Sequence, residues 1–231
     1  MRNLFRMLIV FLSFFFFTTF AIGAPEVSQR LSDGPETSSG YEFGHRLNPD
    51  QGNVLSSLTY ITTDKVYMKL FSGITVSDYI KMNDDLIKLR DHTNLRDINL
   101  IVNSPGGSAF DGLSIADMIT RAQDEWGFKF HAHAAGIVAS AAVPIFAVCE
   151  IREASPGTLF MVHEAALWKW PGRESKSDIL AQAELMNKLQ SLYIGFLVRN
   201  TSTSRAEWEK MEGKTTWFTV KEARKLGLLN R

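Results

Sequence analysis

Apolar and polar positions change period several times along this chain, and the changes mark out alternating strands and helices. Val66–Phe71 alternates with period two and stops at Ser72-Gly73, which predicts a half-buried strand and a turn. Ser77 and Asp78 then precede a helical pattern, Tyr79/Ile80, Leu86/Ile87 and Leu89, that runs to Arg90. Ile98–Val102 is a continuous apolar run of strand length, closed by Asn103-Ser104-Pro105-Gly106-Gly107. Asp111 or Ser114 opens the next helix, with Leu113, Ile115, Met118 and Ile119 facing inward. Phe128–Ala135 predicts a third strand, and Thr158–Val162 another that delivers His163. Between them Ser140–Val148 predicts a helix with Ser140 at its N-terminus. Pro144 fits its first turn, where a missing N–H would lack a partner anyway.

The longest stripe is Asp178–Phe196, with Ile179, Leu185/Met186, Leu189, Leu192/Tyr193 and Phe196 at helical spacing. It either packs one face on the domain's own sheet or forms a contact between subunits, and the pattern supports both. Ser204-Arg205-Ala206-Glu207 and Thr219-Val220-Lys221-Glu222 match the capping box. They open two short helices, the first reaching about Met211 and the second ended by Gly227. Strands alternating with helices predict parallel pairing, βαβ units and an α/β fold.

The N-terminus follows other rules. Arg2 and Arg6 flank the start of Met7–Ile22, an apolar run that contains Phe14–Phe17 and no charge. Ala21-Ile22-Gly23-Ala24 follows, so residues 1–23 read as an export signal cut after Gly23, with an uncleaved membrane anchor as the alternative. Residues 24–52 are rich in Ser, Gly, Pro and Glu and read as a flexible linker, leaving residues 53–231 as one folded domain. The 25 basic and 25 acidic side chains balance. That balance does not favour nucleic acid, which calls for a basic surface. The lone Cys149 forms no intramolecular disulfide and, within an apolar run, reads as a small core side chain.

Three segments carry candidate chemistry. Gly106-Gly107 permits positive φ or close backbone approach to a ligand. Ser140 lies among small neighbours in Gly136-Ile137-Val138-Ala139-Ser140-Ala141-Ala142, and His163 ends an apolar strand in Met161-Val162-His163-Glu164. Acyl transfer needs those parts: amide donors for an oxyanion, a nucleophile and a base. His131 and His133 share one strand face but lack nearby carboxylate or Cys ligands, so no metal site and no cofactor is expected. Trp168-Lys169-Trp170 beside Pro171-Gly172 suits a substrate platform or an oligomer contact.

These blocks, in this order and with the tail Trp217-Phe218-Thr219, Glu222-Ala223 and Gly227-Leu228, resemble the proteolytic-subunit family of Clp proteases, the ClpP-like serine peptidases. The resemblance runs from about Lys65 to the C-terminus. It implies a ClpP/crotonase-like fold of repeated β-β-α and βαβ units with a long protruding helix. It makes Ser140 the nucleophile, His163 the general base, and the backbone around Gly106, Gly107 and Ala141 the oxyanion hole. Two positions depart from the family. Met211 stands where a catalytic Asp is expected, with Glu212 beside it. The third member is therefore Glu212, another acid such as Glu209 or Asp178, or none. Ala141-Ala142 replaces a bulkier residue followed by glycine.

The expectation is an exported serine endopeptidase, periplasmic or secreted, acting on peptides or unfolded protein as a homo-oligomer. It works without the ATP-driven unfoldase that the family uses. Membrane contact comes only through an uncleaved leader. Two rivals share the fold: a non-catalytic scaffold, motivated by the missing Asp, and a crotonase-like acyl-CoA enzyme.

Overall fold

The computed structural model describes residues 55–166 and 173–231, all within one unit spanning Tyr41–Arg231. The leader, the whole linker, and the segment Trp168-Lys169-Trp170-Pro171-Gly172 lie outside the described residues.

The chain builds one mixed sheet flanked by helices. In order, the elements are β1 (Thr59–Ile61), β2 (Val66–Leu70), α1 (Val76–His92), β3 (Asp97–Ser104), α2 (Ala109–Trp126), β4 (Lys129–Ala139), α3 (Ala142–Ala147), β5 (Ile151–Ala154), β6 (Leu159–Val162), α4 (Lys176–Asn200), α5 (Arg205–Glu212), β7 (Thr216–Thr219) and α6 (Val220–Lys225). Strands β2, β3 and β4 pair in parallel, joined by the helical crossovers α1 and α2, as two βαβ units require. The short β1 and β7 close the two edges antiparallel. This is the α/β fold that the alternating pattern predicts.

The core forms where the helices cover the sheet. Met82, Leu86 and Leu89 of α1 and Ile115, Ile119 and Ala122 of α2 are buried, as are Ile98, Leu100, Val102, Phe130 and Ala134 of the central strands. Each large side chain so buried contributes roughly 1.5–3 kcal/mol. Cys149 is fully buried among them, and burial pushes its thiol up to about 12, so it stays a neutral packing group. Arg152 is also buried. Its guanidinium donates to the carbonyls of Cys149, Asn200, Gly227 and Leu228, which ties the C-terminal segment to the sheet.

Several boundaries differ from the sequence reading, each for a local reason. α1 begins at Val76 because Thr75 is its cap, exchanging hydrogen bonds with Asp78 in a capping box. α2 begins at Ala109 because Ser108 accepts from the Asp111 N–H. β4 does not stop at Ala135 but continues to Ala139 through an irregularity in its pairing with β3. Gly136 takes φ 91° there, and the Ile137 N–H donates to Asn103 Oδ1 at 3.1 Å. The extra strand length moves the start of α3 to Ala142, so Ser140 precedes the helix instead of opening it.

β4 is also where the sheet forks. Its first half pairs with β5 and its last three residues, Ile137–Ala139, pair with β6. The stripe of α4 divides along the helix, and its buried part packs on α2, α3 and α5 rather than on the sheet. Leu189, Tyr193, Phe196 and Leu197 are buried, whereas Ile179, Leu180, Leu185 and Leu192 stay exposed. No residue from 176 to 188 is buried, so the first turns project past the domain.

Candidate active site

Three parallel strands end side by side, and their register explains why distant residues meet. Ser104 of β3 stands opposite Val138 of β4, and Ala139 of β4 stands opposite Met161 of β6. The segments that follow these strands therefore leave the sheet at one edge: Pro105-Gly106-Gly107, Ser140-Ala141 and His163. The carboxyl ends of parallel strands are where α/β folds place their sites.

Ser140 turns sharply out of β4. Its N–H still donates to the Met161 carbonyl at 2.8 Å, yet its φ is 53°, a left-handed value that a non-glycine residue adopts at a cost of order 1–3 kcal/mol. That conformation lifts the side chain off the strand line. The Ser140 Oγ lies 2.8 Å from His163 Nε2. With the proton on Nδ1, the hydroxyl donates to Nε2, the polarity that a base–nucleophile pair needs.

Gly106 and Gly107 face this turn. Gly106 takes φ 92°, and a Cβ there would lie 2.6 Å from Ser140 Cβ and 2.7 Å from the Ala139 carbonyl oxygen. A Cβ on Gly107 would lie 2.4 Å from the Ile74 carbonyl oxygen. The Gly106 carbonyl and the Ser108 N–H bond to Ile74, which clamps the loop. The Gly106 N–H donates to Ser104 Oγ at 3.2 Å, so this glycine shapes the loop and is not a spare donor. The N–H groups of Gly107 and Ala141 donate to no acceptor among the described residues, and both residues line the same cavity as Ser140.

That cavity has a volume of about 670 Å³. Phe110, Leu113, Pro144, Met186 and Leu189 give it apolar walls, and Ser140, His163, Gln190, Tyr193 and Glu212 supply its polar groups. Such a mixture is usual for a small-molecule or peptide-chain site.

Of the candidate acids, Glu212 is the one that lines the cavity. It closes α5 and is only 2 % exposed. Buried Trp208, against Phe218 of β7, anchors this short helix. Burial raises the Glu212 carboxyl to about 7; the neighbouring charges of Glu164 and Glu209 push the same way and a hydrogen bond from Gln190 opposes them. Among the described residues its Oε2 has no hydrogen-bond partner, and no hydrogen bond joins Glu212 to His163. The other candidate acids are engaged elsewhere. Asp178 caps α4 through Ser175, and Glu209 pairs with Arg205 at 3.5 Å.

Two cavity residues escaped the sequence reading. The Tyr193 hydroxyl donates to the Ser140 carbonyl at 3.2 Å, and burial, reinforced by the Glu212 charge, holds its phenol well above the ordinary range. It therefore remains a donor at any physiological pH. Gln190, one turn earlier on α4, faces Glu212. The sequence reading takes Tyr193 only as a member of the helical stripe and does not single out Gln190. A polar tip on Tyr193 three residues after Gln190, on one helix face, is the one available signal.

The histidine pair lies away from this edge, on the half-exposed sheet face. His133 Nδ1 stands 3.3 Å from Glu153 Oε1 and its Nε2 2.9 Å from Ser155 Oγ; His131 Nε2 is 3.9 Å from Asp97 Oδ1. Among the described residues no group of three or more His, Cys, Asp or Glu is arranged to hold a metal ion.

Comparison with known proteins agrees with this architecture. The chain is 26% identical over 205 residues to the ATP-dependent Clp protease proteolytic subunit of Bacteroides thetaiotaomicron, covering 87% of this chain and 89% of that protein. It is 31% identical over 137 residues to the ATP-dependent Clp protease proteolytic subunit 3 of Rhizobium johnstonii, covering 58% of this chain and 67% of the relative. A solved ClpP1 mutant from Listeria monocytogenes shares the fold with a TM-score of 0.61 at 23% identity, over 71% of this chain and 88% of that one. Residues 52–231 match the family model described as Clp protease, a span that takes in every strand, turn and helix of the cavity, and the chain belongs to that family.

Proposed function

We propose that the protein is a serine-type endopeptidase in which Ser140 attacks a peptide carbonyl and His163 moves the proton. The observation that carries this reading is the 2.8 Å approach of Ser140 Oγ to His163 Nε2. It occurs at a left-handed turn beside an open cavity and two amides that have no acceptor among the described residues.

The steps balance as follows. The Ser140 Oγ proton passes to Nε2 as Oγ bonds to the carbonyl carbon. The negative oxygen of the tetrahedral adduct accepts from the Gly107 and Ala141 N–H groups. The imidazolium returns the proton to the leaving amine as the C–N bond breaks. Water, deprotonated by the same nitrogen, then releases the acyl group and restores the Ser140 hydroxyl. Glu212 acts through space as the acid of the site, since its ionised form favours the imidazolium without a direct bond. With no hydrogen bond joining Glu212 to His163 among the described residues, the site is a Ser-His pair with electrostatic support.

The substrate is an extended peptide or an unfolded protein segment, cut without an ATPase partner. The protein is exported by its N-terminal leader and assembles as a homo-oligomer through the bare apolar face of α4. Hydrolysis of an unfolded reporter protein in the absence of ATP tests the reading. Ser140→Ala should reduce the rate by roughly 10⁴-fold or more. A catalytically impaired scaffold is the second reading, favoured by the missing Glu212–His163 bond. Turnover by the purified protein excludes it.

A further inference from the structure

We infer that the Tyr193 hydroxyl is a positioning residue that aims the Ala141 N–H at the oxyanion. The inference rests on the Ser140 reading above and extends it to a residue on another element.

The argument starts from one peptide unit. The Ser140 carbonyl and the Ala141 N–H belong to the same planar trans amide, so fixing the direction of one fixes the other, pointing oppositely. The Ser140 carbonyl oxygen accepts two hydrogen bonds. One comes from the Val143 N–H at 3.0 Å, inside the first turn of α3, and one from Tyr193 Oη at 3.2 Å, from α4. A carbonyl with both lone pairs occupied cannot swing. The N–H on its far side is left to face the cavity, where it has no acceptor among the described residues.

Something must hold this amide, because the backbone does not hold it by preference. Ser140 sits at φ 53°, and an unpinned chain relaxes from that region. Behind the turn, Gly106 and Gly112 pack so closely that a Cβ on either would lie within 2.8 Å of the Ser140 or Ala141 atoms. Those contacts set where the turn sits. The two bonds to the carbonyl set how its peptide plane is rotated. Donors bonded to the carbonyl also polarise the amide, which strengthens its own N–H as a donor.

Tyr193 is well placed for the task. It lies in the buried half of α4, where its ring forms part of the cavity wall and its hydroxyl reaches the turn. A phenylalanine at this position keeps the ring and removes only the hydroxyl. The expected effect is therefore on transition-state charge, not on ground-state binding.

The test is Tyr193→Phe in the full chain, with hydrolysis kinetics and a peptide boronic acid as tetrahedral mimic. The inference predicts kcat lower by about five- to tenfold, the size of one neutral hydrogen bond, and boronate affinity lower by the same factor. KM and Tm should be nearly unchanged. Equal kcat and boronate affinity in the two proteins would overturn it, and so would a loss carried entirely by KM. A second measurement is independent of turnover: the Ala141 amide ¹H and ¹⁵N shifts. These should move in Tyr193→Phe more than those of Gly107, whose amide belongs to another loop. Unmoved Ala141 shifts would overturn the inference even if the protein proves inactive. Absence of wild-type hydrolysis with a moved Ala141 signal would instead count against the Ser140 reading alone.

Discussion

Gly106 and Ser140 are in contact at the limit of what backbone permits: a methyl group on the glycine would stand 2.6 Å from the serine Cβ. The glycine also holds φ 92°, so the space and the conformation exclude the same substitution. Two loops from adjacent strands thus fix each other, and the nucleophile turn cannot shift without moving the loop that carries the Gly107 amide.

Gly106→Ala should therefore remove activity out of proportion to its size. Displacing the Ser140 turn by a fraction of an ångström is expected to lower kcat/KM by about a hundredfold or more, with a stability loss of roughly 1–3 kcal/mol. Gly157→Ala is the matched control, since a Cβ there meets nothing within 4 Å and its φ is ordinary. Thermal melts and peptide hydrolysis on both variants check the contrast.

Glu212 ties stability to pH. Its carboxyl is raised from the ordinary 4.5 to about 7, so between those values the folded protein keeps a proton that the unfolded chain releases. The stabilisation is complete below the unfolded value and is lost as pH rises through about 7. Over that window it amounts to on the order of 3 kcal/mol. Denaturant midpoints of wild type should fall relative to Glu212→Gln as pH is raised from 4.5 to 7. Parallel midpoints would show that the carboxyl is not held in its neutral form.

The bare face of α4 should govern assembly. Leu180 and Leu192 are 59% and 57% exposed, the first in the turns where nothing is buried and the second on the outer face of the turns whose other side is buried. Leu180→Glu combined with Leu192→Glu should reduce the molar mass measured by light scattering while leaving the circular dichroism and melting of the domain nearly unchanged. An unaltered mass would assign the contact to another face.

Much of this could be read from residue order. Apolar runs ending in turn residues marked β3 and β6, and helical spacing marked α1, α2 and α4, because those elements bury one face and the period follows. The sequence reading missed β1, β5 and β7. The first is only three residues long, the second carries Arg152 and Glu153, which hide its pairing with β4, and the third is four residues running straight into the capping box of α6. Gly136 looked like a stop, yet the strand passes through it by bulging toward Asn103. In the site, Ser140, His163, Gly107 and Glu212 were all named from the sequence, and the structure places all four around one cavity. Its limits were three-dimensional. No pattern revealed that Gly106 gives its N–H to Ser104, that Glu212 stops short of His163, or that Tyr193 reaches across to the Ser140 carbonyl.

The central claim is that Ser140 is an activated nucleophile, and a fluorophosphonate probe addresses it most directly. Treatment of the folded protein followed by peptide mass mapping should place one phosphonyl adduct on Ser140. Labelling should slow by orders of magnitude in His163→Ala and vanish on unfolding in denaturant. An intact, folded protein that gains no adduct at Ser140, or gains it equally fast without the His163 imidazole, would contradict the account.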